Sequence, residues 1–230
     1  MQKILTKWIV QNYFKTKTII KQSDLNTYTE IDEHAFSNCC WLKKICLPIT
    51  IKKIGYSAFA YCNKLQEITF SSDSLVIGDY AFWECSNLYK FYSPLNLKWI
   101  GKGILAECKN LTEVTIADSV TYIGGCAFKD CRCLKVVKIP FSVTKIGESV
   151  FENCYSLTNV DLTPNNSLVK IGIGAFENCL NLQQFFIPKS VKEIGIWAFK
   201  GCKKLRTVII PRDCRIHISS FEKSTRILKK

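Results

Sequence analysis

Histidine is almost missing from this chain: among 230 residues there are two, His34 and His217, near opposite ends. Proton-transfer chemistry near neutral pH leans on histidine or on a paired set of carboxylates, and the acidic residues here are scattered. No glycine-rich phosphate loop is present, because "IGGCAF" and "IGIGAF" recur as turns rather than as a strand-to-helix motif. No apolar run approaches the ~20 residues of a membrane span. The first residues, "MQKILTKWIVQNYFK", lack the long apolar core of a secretory signal, being interrupted by Lys7. No Gly/Ser/Pro-rich linker divides the chain. These absences argue against an enzyme and call for no cofactor or metal.

What is present is repetition. The stretch "IGGCAFKDCRCLKVVKIPFSVTKIG" (Ile123–Gly147) ends on the pair that opens it. The same isoleucine recurs at Ile31, Ile54, Ile77, Ile100, Ile123, Ile146, Ile171 and Ile194, in steps of 23 residues and, once, of 25. A worn copy, "IHISSFEKS", starts at Ile216, and alignment without a gap sets Ile227 over Leu205 and Ser224 over Cys202. Such a period marks a stacked-repeat architecture.

Each slot of the unit has a physical role. Glycine follows the isoleucine at Gly55, Gly78, Gly101, Gly124, Gly147, Gly172 and Gly195, which implies positive φ or a close backbone approach. Ala-Phe comes next, then Cys three residues on and Leu three beyond that, as in Ala127, Phe128, Cys131 and Leu134. These offsets of about three to four predict one face of a short helix. The period then changes to two, as in Leu134-x-x-Val137-x-Ile139-Pro140, predicting a half-buried strand stopped by proline. A single unit cannot bury its own apolar residues, whereas stacked neighbours can.

The expected fold class is therefore an α/β repeat solenoid. It is a right-handed leucine-rich-repeat coil, with a parallel β-sheet on the concave face and short helices on the convex face. Residues 1–30 are expected to form a helical cap, 31–215 eight repeats, and 216–230 a degenerate ninth repeat with a basic cap. In the first segment Ile4, Leu5, Trp8, Ile9 and Tyr13 fit one face of an amphipathic helix that would cover the first coil. The alternative for that face is a membrane surface, with Lys3, Lys7 and Lys15 near anionic lipid.

The unit C-x-x-L-x-x-I/V-x-I-P-x-S-V-x-x-I-G-x-x-A-F resembles the BspA-like, or Treponema-type, class of leucine-rich repeats. "CRCLKVVKIPFSVTKIGESVF" and "CLNLQQFFIPKSVKEIGIWAF" carry the likeness. It implies a surface antigen or adhesin of the kind found in trichomonads and oral bacteria, binding proteins and lacking enzymatic activity. By resemblance the location is the cell surface; the lack of an export signal leaves the cytoplasm as the alternative. Departures such as Leu105 in a Phe slot, or Ser71, Ala117 and Thr163 in the proline slot, cluster nowhere.

The net charge of +13 is placed unevenly. Residues 1–23 hold five lysines and no acid, residues 189–230 hold twelve basic and three acidic groups, and residues 24–188 hold fifteen and sixteen. Two distant basic ends do not make the continuous basic stripe a nucleic-acid reader needs, so nucleic acid is not an expected partner. The C-terminal end alone could attract polyanions. Of thirteen cysteines, eight share one repeat slot: Cys39, Cys62, Cys85, Cys108, Cys131, Cys154, Cys179 and Cys202. Stacking would align them in a ladder. An odd total and a shared inward direction favour buried free thiols over disulfides, consistent with a reducing compartment or deep burial. Cys126, Cys131 and Cys133 have no neighbouring histidine and do not read as zinc ligands.

Outward strand positions should carry recognition. The residue before each core Val/Ile opens Lys44, Glu67, Lys90, Glu113, so neighbouring strands neutralise one another there, as Lys138 and Asp161 would on the next row. Further along, Val136, Phe186 and Ile209 bring exposed apolar groups instead, beside the uncharged Gln184 and Thr207, with Tyr92 upstream. Large apolar groups on an exposed strand mark a partner site. The expected protein-binding surface comprises Tyr92, Val136, Lys138, Asp161, Gln184, Phe186, Thr207 and Ile209. It centres on Tyr92, Phe186 and Ile209, flanked by a loop at Thr163–Lys170. A self-contact in a homo-oligomer would use the same groups.

Overall fold

A computed structural model describes residues 3–162 and 167–230. The repeat isoleucines stack in register through two-residue parallel strands. Ile31, Ile54 and Ile77 form one run; Ile100, Ile123, Ile146, Ile171, Ile194 and Ile216 form a second. Between the runs the Asp79 carboxylate, not a backbone carbonyl, accepts the Lys102 N–H at 2.8 Å. The coils nonetheless stay stacked there, since Tyr80 and Phe82 N–H groups bond Lys102 and Ile104 carbonyls at 2.8 and 2.9 Å.

A second set of longer parallel strands runs alongside. It includes Lys44–Leu47, Glu67–Phe70, Lys90–Tyr92, Glu113–Thr115, Val136–Ile139, Asn159–Leu162, Thr207–Ile210 and Arg226–Lys229. Burial alternates along them as period two requires: Val137 and Ile139 are buried, Val136 and Lys138 exposed. Between the two strand sets lies one apolar core that runs the length of the molecule. Its axis is a column of phenylalanines. Phe128, Phe151, Phe176, Phe199 and Phe221 stack at centroid distances of 5.3, 5.2, 5.1 and 5.1 Å, with planes within 13° of parallel. Phe36, Phe59 and Phe82 form the upstream part of the column, and Leu105 fills the slot between, fully buried.

The convex helices are corrected. Among the described residues no Ala-Phe segment is helical, each being a run of turns with one added bridge at Phe199, so the architecture is a parallel β-solenoid rather than an α/β one. The cause is in the backbone bonding. Alternate N–H groups reach across to the next coil: His34 to Tyr56 at 3.0 Å, Phe36 to Ala58 at 2.7 Å, Asn38 to Ala60 at 2.9 Å. Those between close tight local turns, as with Ser37 to His34 at 3.0 Å and Cys39 to Phe36 at 3.0 Å. Most donors of these segments are satisfied without a helix. The geometry places two left-handed residues in each of the eight coils between His34 and Gly201, for example Ser57 and Tyr61, Tyr80 and Glu84, Ser149 and Asn153.

The glycine after each isoleucine serves close approach, not positive φ. A Cβ on Gly172 would lie 2.3 Å from the Gly147 carbonyl oxygen, and one on Gly195 would lie 2.6 Å from the Ile173 nitrogen.

Both ends differ from expectation. Leu5 pairs with Ile31 and Ile20 with Ile45, so residues 4–25 wind as one more coil. Its turn segment is α-helical over Lys7–Ile9 and π-helical over Val10–Phe14, with Thr6 capping the Ile9 N–H at 3.4 Å. The buried face is Leu5, Val10 and Phe14; Trp8 and Tyr13 are exposed, their rings 6.0 Å apart. Of the predicted stripe, Leu5 is buried and Ile9 packs against the core, whereas Ile4, Trp8 and Tyr13 face outward. At the other end Ile227 pairs with Val208, not with the leucine slot. Ser224 is exposed, so it does not occupy the cysteine slot.

Candidate protein-interaction face

Every residue of the predicted surface is exposed. Six of them, Tyr92, Val136, Lys138, Asp161, Thr207 and Ile209, stand on the outward side of the long strands; Gln184 and Phe186 lie on residues 182–188, where the predicted strand does not form, and all eight sit over buried neighbours such as Val137, Val160, Phe185 and Val208. Alternation of exposed and buried positions aims them outward, and residues 184–187 keep that alternation without the strand.

The face has two chemically different halves. In the upstream half Lys44 pairs with Glu67 at 2.8 Å and Lys90 with Glu113 at 3.0 Å. The Tyr92 hydroxyl donates to the same Glu113 carboxylate, and these hydrogen bonds, from Tyr92 first and Lys90 second, hold the Glu113 pKa below its usual range. Tyr92 is thus tied into a polar network. Lys138 and Asp161 are in register, yet among the described residues no short ion pair joins them.

In the downstream half Phe186 is 67% exposed, Ile209 49% and Leu228 38%. Ile209 and Leu228 are register partners, and Phe186 occupies the same row one coil earlier. A shallow cavity of about 170 Å³ is lined by Phe186, Lys189, Ile209, Pro211 and Lys230 among others. Tyr92 lies four coils upstream of Phe186, so the structure does not bring it into this cluster. Leu228 escaped the sequence reading because the gapless alignment of the worn copy put Ile227 in the wrong slot. The flanking loop predicted over Thr163–Lys170 lies outside the described residues for 163–166.

The cysteine slot supplies no reactive group. All thirteen cysteines are free, and the eight of the ladder are buried. Seven thiols donate to a carbonyl of the preceding coil, such as Cys62 to Phe36 at 3.0 Å and Cys131 to Leu105 at 3.2 Å. Burial pushes Cys39 and Cys202 up to about 12. The slot therefore uses the S–H as a donor as well as the small volume. No helix among the described residues is long and apolar enough to cross a membrane.

Comparison with known proteins agrees with this architecture. The family model of the BspA-type leucine-rich repeat region matches residues 7–135 and 100–228 with six copies. Among solved structures, a leucine-rich repeat protein of Treponema pallidum is similar at 29% identity and a TM-score of 0.60, over 77% of this chain and 72% of that one. The pneumococcal vaccine antigen PcpA shares the fold at 22% identity and a TM-score of 0.54, over 88% of this chain and 60% of its own. Among curated proteins none matches the chain in sequence. With a repeat model spanning nearly all of its coils, this chain belongs to the BspA-type leucine-rich repeat family.

Proposed function

We propose that the protein is an interaction module of surface-antigen or adhesin type, which binds a protein partner through the outward, concave side of its long strands. One observation carries the reading: Phe186, Ile209 and Leu228 form an apolar row in the open, over a core already complete beneath them. Exposed apolar groups of this size, gathered rather than scattered, mark association surfaces. The neighbours' character supports the class, the pneumococcal relative being a vaccine antigen.

The test is capture from the native host, with surface and cytosolic fractions kept apart. Proteins retained by the wild type and lost by the Phe186→Ala/Ile209→Ser double variant support the reading. An identical set retained by both removes this face from consideration. Glycan occupancy at Asn110, an exposed residue of the Asn110-Leu111-Thr112 sequon, reports export independently.

A second reading is an intracellular scaffold whose basic end binds polyanions. It draws on the twelve basic residues of 189–230, of which among the described residues only Arg215 is ion-paired, with Glu193 at 3.5 Å. Steep loss of binding with salt distinguishes it, because phosphate-driven contacts weaken with ionic strength and apolar ones do not.

A further inference from the structure

The last three coils specify what kind of protein segment would fit. Their outward positions are Gln184, Phe186, Thr207, Ile209, Arg226 and Leu228. Cations border this apolar row at both ends of the strands: Arg206 and Arg226 upstream, Lys189 and Lys230 downstream. The three acids of residues 189–230 are placed elsewhere. Glu193 is held by Lys170 and Arg215 on the short-strand side, Glu222 accepts the Gly201 N–H at 3.0 Å, and Asp213 sits in the turn after Arg212. So these three coils present an apolar ridge between two basic margins with no carboxylate among their outward side chains, the next one on the row being Asp161, one coil upstream of Phe186.

The spacing of the ridge selects a conformation. Successive coils are separated by about the 5.1 Å seen between Phe176, Phe199 and Phe221. Three coils therefore present apolar groups over roughly 10 Å along the stacking axis. An α-helix places side chains at i, i+3/i+4 and i+7 on one face, advancing about 5.4 Å per turn and about 10.5 Å in all. An extended strand advances about 6.7 Å between same-face residues, and a polyproline helix about 9.3 Å per turn; neither keeps step with every coil.

We propose that this face binds an acidic amphipathic α-helix of a partner protein. The helix lies along the stacking axis, with its apolar stripe on Phe186, Ile209 and Leu228 and its carboxylates toward Arg206, Arg226, Lys189 and Lys230. The inference rests on the interaction-module reading above and names the partner's chemistry.

The experiment is selection from a displayed library of helical peptides of about 16 residues with both faces randomised, against the full chain. The expected winners carry Leu, Ile, Phe or Met at i, i+3/i+4 and i+7, flanked by Asp and Glu. Their affinity should fall about 30-fold with Phe186→Ala/Ile209→Ser, as for anchors of an interface. It should fall about three- to tenfold with Lys189→Glu/Arg226→Glu, or on raising salt from about 0.05 to about 0.3 M. Winners that are neutral or basic overturn the proposal, as do acidic winners indifferent to Phe186→Ala/Ile209→Ser. So does a dimer of the chain that dissociates in the same double variant, since a second copy would then be the occupant. Failure of the peptides while that double variant still abolishes capture of native partners leaves the interaction module standing and removes only the helix. Failure of both removes the two together.

Discussion

The ring of Phe151 lies 5.2 Å from that of Phe176, with planes 13° apart. These two residues are 25 positions apart, whereas Phe128 and Phe151 are 23 apart and stack at 5.3 Å. The two extra residues of the longer repeat thus leave the core column unchanged. The register agrees, because Leu162 pairs with Ile139 and Ile171 with Ile146, so the insertion falls between Leu162 and Ile171. The column, rather than the length of each repeat, sets the spacing of the coils.

Removing one ring from the column should therefore be costly. Phe151→Ala is expected to lower unfolding stability by about 3–5 kcal/mol, because Phe151 is fully buried and its ring has neighbours above and below. Chemical denaturation against the wild type checks this. Phe151→Leu should cost less, since Leu105 already fills the same slot in one coil.

Gly172→Ala is a small change with a large expected effect. Its methyl would press on the Gly147 carbonyl at 2.3 Å, forcing adjacent coils apart. Overpacking of this kind costs about 1–3 kcal/mol, measurable as a lowered midpoint in urea. Alanine at Gly125, where the nearest atom would be 3.3 Å away, should be far milder.

The left-handed turn positions offer a stabilising change. Glu84 has φ of 56°, a conformation that asparagine tolerates better than glutamate. Glu84→Asn is expected to raise stability by about 0.5 kcal/mol. Gly201→Ala should do the reverse, having φ of 76° and a Cβ that would meet the Asn178 side chain at 2.4 Å.

The thiol ladder makes the fold sensitive to alkali. Burial raises the folded pKa of these cysteines, to about 12 at Cys39 and Cys202, against about 8.5 in an unfolded chain. Below pH ~8.5 both states hold the proton and stability is unaffected. Above it the unfolded state loses protons that the folded state keeps, so stability falls as pH rises toward ~12, by up to about 1.4 kcal/mol per pH unit for each buried thiol. Denaturation midpoints between pH 8 and 11 should fall steeply, and Cys131→Ala should flatten the slope by one thiol's share. In the native protein iodoacetamide should label exposed Cys40 and spare the eight ladder thiols.

Much of this organisation is legible in the sequence because a period-two strand and a stacked isoleucine leave regular marks. The free, buried ladder and the Lys44–Glu67 and Lys90–Glu113 pairs follow from the same spacing. The turn segments are not legible in that way. Ala, Phe, Cys and Leu at three- to four-residue offsets look helical, yet a stacked chain can satisfy its N–H groups in the next coil instead. The available signal was Asn, Asp, Ser and Gly recurring four residues apart, as at Ser149 and Asn153 or Gly174 and Asn178, where left-handed backbone is cheapest. The first coil was missed because Leu5 and Ile20 lack the Gly, Ala-Phe and Cys marks around them. The last was misaligned because its shortening lies between Phe221, which still bridges Phe199, and Ile227.

The central claim is a division of labour, with buried rings making the solenoid and outward groups making the contact. It is tested most directly by measuring thermal stability and partner affinity together on the Phe186→Ala/Ile209→Ser variant, using a partner that the wild type captures. The expected result is an unchanged melting temperature with affinity reduced about 30-fold. Unchanged affinity, or a loss of affinity accompanied by a collapse in stability, would contradict it.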